Sequence, residues 1–222
     1  MHDQEVAPDG SPVAVYLTLP AEPAFTAVLD HLDPQASVLD LGCGVGRLVN
    51  VLARPGRDVW GVDESLAMLA HLSDEVTAVE ADLRSLDLSR RFGAVVLASR
   101  LVNVADRHLR RAFLAAIVSH LDAGGTAYLQ RHDPAPGVYE VGTRRQVVAT
   151  DRGPLTITLE VHERRGSQIR ATSTMAFTAA SWAQTFEAEL LDDDALDVVL
   201  AEVGLEFGEV LDATWVTAHH RR

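Results

Sequence analysis

Apolar positions at Phe25, Val28, Leu29 and Leu32 recur at i, i+3, i+4 and i+7, which predicts an amphipathic helix opened by Pro20 and Pro23 and stopped before Pro34. A short apolar strand is expected over 37–41. Glycines at 42, 44 and 46 then lead into a second helix in which Val45, Leu48, Val49 and Leu52 hold helical spacing up to Pro55 and Gly56. Residues 58–62 read as strand two, Ser65 as the N-cap of a helix carrying Leu66, Leu69 and Leu72, and 76–80 as strand three. The unbroken apolar run 94–98 is the pattern of a parallel strand buried on both faces. Asp106 can cap a helix with Leu109, Ala112, Phe113, Ala116, Ile117 and Leu121 on one face, closed by Gly124 and Gly125 before strand five at 126–130.

Five βα units in a row predict a Rossmann-like, doubly wound, mostly parallel α/β sheet. Beyond residue 140 the period changes to two, with runs at 146–150, 155–161, 169–177 and 182–190. The segments Asp151-Arg152-Gly153-Pro154 and Arg164-Arg165-Gly166-Ser167 carry hairpin-turn residues, so 140–191 is expected to be an antiparallel insertion or lid. A helix at 194–203 ending at Gly204, and strands near 207–211 and 214–218, complete seven strands and one domain over 1–222. No internal repeat or low-complexity linker interrupts it.

The 222 residues include 47% hydrophobic and 23% charged side chains, a globular balance, and no apolar run is long enough to span a bilayer. Residues 1–12 lack a basic segment followed by an apolar stretch, so a signal peptide is not indicated and a cytoplasmic protein is expected. The net charge of −13 argues against nucleic acid as a partner. All 19 basic residues are arginine, which excludes lysine Schiff bases, a P-loop lysine and a Tyr/Lys dehydrogenase pair. The single Cys43 permits neither an internal disulfide nor a multi-cysteine metal site, and no metal is expected.

The most informative segment is Val38-Leu39-Asp40-Leu41-Gly42-Cys43-Gly44-Val45-Gly46-Arg47, a strand ending in a glycine-rich turn that opens a helix. A dinucleotide fold calls for GxGxxG, and here position 47, where its third glycine belongs, is Arg. The GxGxG turn with Asp40 before it resembles motif I of the class I S-adenosylmethionine (SAM) dependent methyltransferases. Asp63, in Gly61-Val62-Asp63-Glu64-Ser65, stands where that family binds the ribose hydroxyls, and Asp82, in Glu80-Ala81-Asp82-Leu83, where it contacts the adenine amino group. A carboxylate can accept two hydrogen bonds from a vicinal diol, and an exocyclic amine needs an acceptor. The resemblance covers roughly 14–131, with strands six and seven consistent. It implies that Gly42, Gly44 and Gly46 shape the turn around the methionine part, that Asp40 helps hold its ammonium, and that Tyr16 is the aromatic laid near the cofactor. The expected cofactor is SAM, with S-adenosylhomocysteine (SAH) as product.

In this fold class ligands lie beyond the carboxyl ends of the strands, which directs the acceptor search to Ser99, Arg100, Asn103, Arg131, His132 and Asp133. His132 is the candidate general base, with an ordinary imidazole pKa near 6.5. Arg100, Asn103 and Arg131 are candidates for holding the acceptor, the arginines by bidentate bonds to an acid. Cys43 reads as a small packing residue, His219 to Arg222 as a polar tail, and Asp192, Asp193 and Asp194 as a helix cap.

The insertion resembles that of bacterial small-molecule methyltransferases, including amino-sugar N-methyltransferases of antibiotic pathways. The resemblance implies methyl transfer to a small-molecule acceptor of secondary metabolism, with a homodimer or a small protein partner through the insertion. Two other functions fit the same fold: a non-methylating enzyme such as a natural-product cyclase, and a catalytically silent SAM-binding subunit.

Overall fold

The four short apolar runs read from the sequence form β1 (Val38–Leu41), β2 (Val59–Asp63), β3 (Thr77–Glu80) and β4 (Phe92–Leu97), followed by β5 (Leu121–Gln130). The computed structural model describes residues 6–8 and 10–221. The first five residues, on which the reading of 1–12 partly rests, and Arg222 lie outside it. The helices are α1 (Val13–Tyr16), α2 (Thr26–His31), α3 (Val49–Leu52), α4 (Leu66–Leu69), α5 (Arg107–His120) and α6 (Asp193–Ala201). Later strands are β6 (Gly142–Thr150), β7 (Gly153–Arg165), β8 (Gln168–Ala176), β9 (Ser181–Glu189), β10 (Leu205–Val210) and β11 (Trp215–His220).

The main sheet has the order β10-β11-β5-β4-β1-β2-β3, with parallel pairing from β5 through β3 and antiparallel pairing at β11 and β10. Because alternate residues of a strand face opposite sides, β1 sends Leu39 and Leu41 toward α5 and α6, and Val38 toward α2, α3 and α4. Each face thus receives its own helices and its own core. Trp215 is wholly buried on the second face, against Phe25 at 5.8 Å, and its indole N–H donates to the Ala24 carbonyl at 2.8 Å. The order in which strands are added reverses between β1 and the parallel β4, whose carboxyl ends open the crevice in which such folds hold ligands.

The expected doubly wound sheet with an antiparallel insertion after strand five is present, and three local expectations change. First, the helix after the glycines is only α3, because Gly42, Gly44 and Gly46 all have positive φ and hold 42–48 in turns. Second, Gly124 and Gly125 lie inside β5 rather than stopping α5. A Cβ on Gly125 would sit 2.9 Å from the Gly93 carbonyl oxygen, so glycine permits the close approach at the register shift between β4 and β5. The end of α5 is instead fixed by His120, whose Nδ1–H donates to Ala116 while Nε2 accepts from the Leu88 N–H. Third, His219 and His220 belong to β11, with ring N–H donation to the Gly125 and Leu121 carbonyls, so they are not a polar tail.

The insertion is a second sheet in the order β6-β7-β8-β9. Its register aligns Val161 with Ala171 and Ala171 with Phe186, which puts the apolar residues of alternating positions on one face. That face covers Tyr139 beside the crevice, and a bridge between Val104 and Ala188 ties it to the loop that follows β4. Asp192 caps α6 by accepting from the Ala195 N–H. Among the described residues no helix is long and apolar enough to cross a membrane.

Candidate functional site

At the end of β1 the backbone N–H groups of Gly42 and Cys43 donate to the Val62 carbonyl at 2.8 and 3.0 Å, which ties the glycine turn to β2. The Gly44 N–H turns the other way and donates to Asp63 Oδ2 at 2.9 Å. Gly46 serves packing: a Cβ there would lie 2.8 Å from the Asn50 side-chain amide. That amide donates to the His71 carbonyl and accepts from the Ser73 N–H, joining α3 to the chain after α4. Gly42 and Gly44 therefore leave space at the turn, while Gly46 lets Asn50 close it from behind. Half-buried Tyr16 belongs to the patch in which Val13 of α1 packs with Val45 and Met68 over this turn.

Three acids stand at the ends of three neighbouring strands. Asp40 is 2% exposed, and its Oδ1 has no hydrogen-bond partner. Burial, with the Asp63 charge nearby, pushes its pKa up to about 7. Asp63 Oδ1 accepts from the Ser65 N–H at 2.9 Å, so both carboxylate oxygens are oriented by backbone donors. Asp82 opens the short 3₁₀ turn Leu83–Ser85 and accepts from the backbone and side chain of Arg84, which hold its carboxyl below the usual carboxylate range. Cys43 is buried and its thiol is pushed up by burial, in keeping with a packing role.

The other wall is built after β4 and β5. Ser99 and Arg100 are exposed, with φ of +55° and +59°, a conformation that costs non-glycine residues energy and collects at working sites. Gln130 of β5 holds this bend by accepting from the Ser99 N–H at 2.9 Å. His132 is 7% exposed, stacks on Phe186 at 6.0 Å and 8°, and meets Tyr139 edge-on at 4.9 Å. Its Nδ1 and the Tyr139 hydroxyl share a hydrogen bond of 2.8 Å. Burial first, then the Arg100 guanidinium, push the imidazole pKa down to about 3. The ordinary value expected for His132 is thereby corrected: the ring is neutral at any physiological pH.

Two candidate acceptor contacts are occupied elsewhere. Arg131 donates to the Leu191 carbonyl at 3.2 Å and pairs with Asp193 at 2.5 Å, anchoring the return from the insertion to α6 instead of offering a fork to a ligand. Asn103 is fully buried; its Nδ2–H donates to the Glu189 carbonyl at 2.6 Å, and its Oδ1 accepts from the His132 N–H at 2.8 Å. It fastens the insertion to His132 and so acts as a positioning residue. Arg100 stays at the crevice mouth, near His132 and Tyr139. Asp133 caps its own loop through the Ala135 N–H. Among the described residues no group of three His, Cys, Asp or Glu is placed to hold a metal ion.

Sequence reading missed Tyr139, Phe186 and Gln130. A buried tyrosine seven residues after a strand-end histidine gives a weak signal at best, and Phe186, on β9, reaches His132 only through the folding of three intervening strands. Gln130, the last residue of β5, was visible as a polar end to an apolar strand.

Comparison with known proteins places this geometry in context. Residues 38–125 match the family described as "Methyltransferase domain". The cypemycin N-terminal methyltransferase of a Streptomyces species is 34% identical over 170 residues, 70% of this chain and 69% of the relative. The sugar N-methyltransferase KedS8 from Streptoalloteichus has the same fold, with a TM-score of 0.67, 24% identity, and coverage of 91% of this chain and 87% of its own. SAM-bound CalS10 from Micromonospora echinaspora, an amino pentose methyltransferase of calicheamicin biosynthesis, gives a TM-score of 0.65 at 22% identity, covering 94% and 89%.

Proposed function

The chain belongs to the class I SAM-dependent methyltransferases, and from that premise we propose that it methylates the amine of a small natural-product molecule. The observation that carries the amine reading is the neutral His132 in its aromatic enclosure. Burial and the Arg100 charge that keep the imidazole unprotonated act in the same direction on an ammonium group beside it, and a free amine is the nucleophile such a transfer needs. The names of the relatives point the same way, since one acts at an N-terminus, one on a sugar nitrogen and one on an amino pentose.

The residues present fit the cofactor. A buried carboxylate oxygen without a partner, in a site where burial and then the Asp63 charge raise the Asp40 pKa, suits a cationic amino group. In this reading Asp40 faces the ammonium, Asp63 accepts from the ribose hydroxyls and Asp82 from the adenine amine, with Gly42 and Gly44 giving room for the chain and Tyr16 covering it. When bound, SAM supplies a methyl group activated by a positive sulfonium. His132, held by Tyr139 and Asn103, orients the acceptor, and the apolar face of residues 140–191 excludes water from it. His132 acts through position and hydrogen bonding rather than as a base. The outer face of the insertion is, in the same reading, the surface for a second copy of the chain or a small protein partner.

Product identity tests the reading. Amino sugars and peptides with free N-termini, compared with their hydroxyl-only counterparts, should support SAH release in the amine series; release confined to the hydroxyl series contradicts it.

A pH dependence follows from Asp40. This carboxyl holds a proton below about 7, and the proton must leave before the carboxylate can pair with an ammonium. SAH affinity measured by calorimetry should therefore fall up to about tenfold for each unit below that value and level off above it. Asp40→Asn should bind more weakly at pH about 8 and lose the slope. A flat wild-type profile separates Asp40 from the cofactor's charge.

A further inference from the structure

Two guanidinium groups meet around Tyr139, one from each wall of the crevice mouth. Arg100 follows β4 on the bend that Gln130 holds through the Ser99 N–H, with φ +59°, and its guanidinium reaches the Tyr139 hydroxyl. Arg144 comes from β6. It stands opposite Leu159 in the register, which puts it on the apolar face of the insertion that covers Tyr139, and it donates to the Gly137 carbonyl two residues before that tyrosine. Both arginines are exposed, and neither makes an ion pair among the described residues. The carboxylates beside them are engaged: Asp133 accepts from the Ala135 N–H, and Glu140 pairs with Arg164 at 2.8 Å. A chain with a net charge of −13 thus keeps two accessible positive charges without a counter-charge at the mouth of its crevice.

Hydrogen-bond directions add a third donor. With Arg100 donating to the Tyr139 oxygen, the Tyr139 O–H is left to donate to His132 Nδ1 at 2.8 Å, which places the imidazole proton on Nε2. Nε2 makes no hydrogen bond among the described residues. An amine whose lone pair accepted from this N–H could not attack a methyl group, so the N–H suits an oxygen beside the amine.

Resting on the amine reading above, we propose that the acceptor carries a carboxylate as well as an amine, held between Arg100 and Arg144 with one oxygen accepting from His132 Nε2–H. The planar guanidinium forks match the two carboxylate oxygens. An uncharged group in the same place would leave both positive charges unmatched, so the mouth selects acids.

Calorimetry on the full chain saturated with SAH tests this, with L-phenylalanine, para-aminomethylbenzoate and muramic acid each compared with its primary amide, and phosphoethanolamine compared with ethanolamine. At least one carboxylate should bind about ten- to a hundredfold more tightly than its amide. Arg100→Gln and Arg144→Gln, both at exposed positions, should each cut that preference about tenfold, and Arg100→Lys should restore part of it, while SAH affinity and melting temperature stay at wild-type values. Three results overturn the proposal: no carboxylate preferred over its amide, a preference confined to phosphoethanolamine, or a preference that survives in both glutamine variants. Failure of the amine reading is seen separately, as a transferred methyl found on oxygen in an acceptor whose acid is still preferred.

Discussion

His132→Ala is expected to lower turnover by about 10²-fold while SAH affinity stays within about twofold, because the ring positions the acceptor and does not touch the cofactor acids. Its backbone N–H is pinned by Asn103, its Nδ1 by Tyr139 and its face by Phe186, so the side chain has one orientation to offer. With the pKa pushed down to about 3, the imidazole gains no proton as the pH falls from about 8 to about 5, and its charge cannot shape the rate there. At saturating SAM the wild-type rate should instead follow the titration of the acceptor amine and move when an acceptor of different basicity is used. Exchanging strands 143–187 for a spanning loop, with Glu189 and Leu191 retained for Arg110 and the core, should give the same separation of kept SAH binding from lost turnover. An inflection near 6.5 that disappears in His132→Ala means a base after all; wild-type turnover in the variant means a packing histidine.

The second large effect belongs to Asp63. Its two oxygens are aimed by the Gly44 and Ser65 N–H groups, so truncation removes both the acceptor offered to the ribose and the brace of the glycine turn. Asp63→Ala should weaken SAH by about 1.5 to 3 kcal/mol, roughly ten- to a hundredfold in Kd, and Asp63→Asn by less, since one carbonyl oxygen remains. NAD should show no binding to either protein. An unchanged Kd in Asp63→Ala removes this residue from the cofactor site.

What was legible in the sequence was what depends on neighbours along the chain. The alternation of apolar runs with capped helices laid out the sheet, and the three acids were found because each stands at or near a strand end in a position that matches the methyltransferase family's motifs. Glycine was ambiguous: the same residue type bends the chain at Gly42, admits Asn50 at Gly46 and lets two strands touch at Gly125, and only the packed neighbours distinguish these uses. Charge at the acceptor wall was hidden for a related reason. Arg131 and Arg100 look alike as strand-end arginines, yet Asp193, 62 residues away, takes one and leaves the other at the crevice mouth. The depressed pKa of His132 was equally out of reach, because it comes from enclosure by the insertion, whose strands contact it only in the folded molecule.

The most direct test is to supply SAM carrying an isotope-labelled methyl group together with amine-bearing natural products, and to locate the label by mass spectrometry and NMR. The expected result is labelled methyl on nitrogen, with one SAH released per methyl transferred. Label on oxygen or carbon alone, or tight SAH binding with no labelled product from any acceptor, contradicts amine methylation.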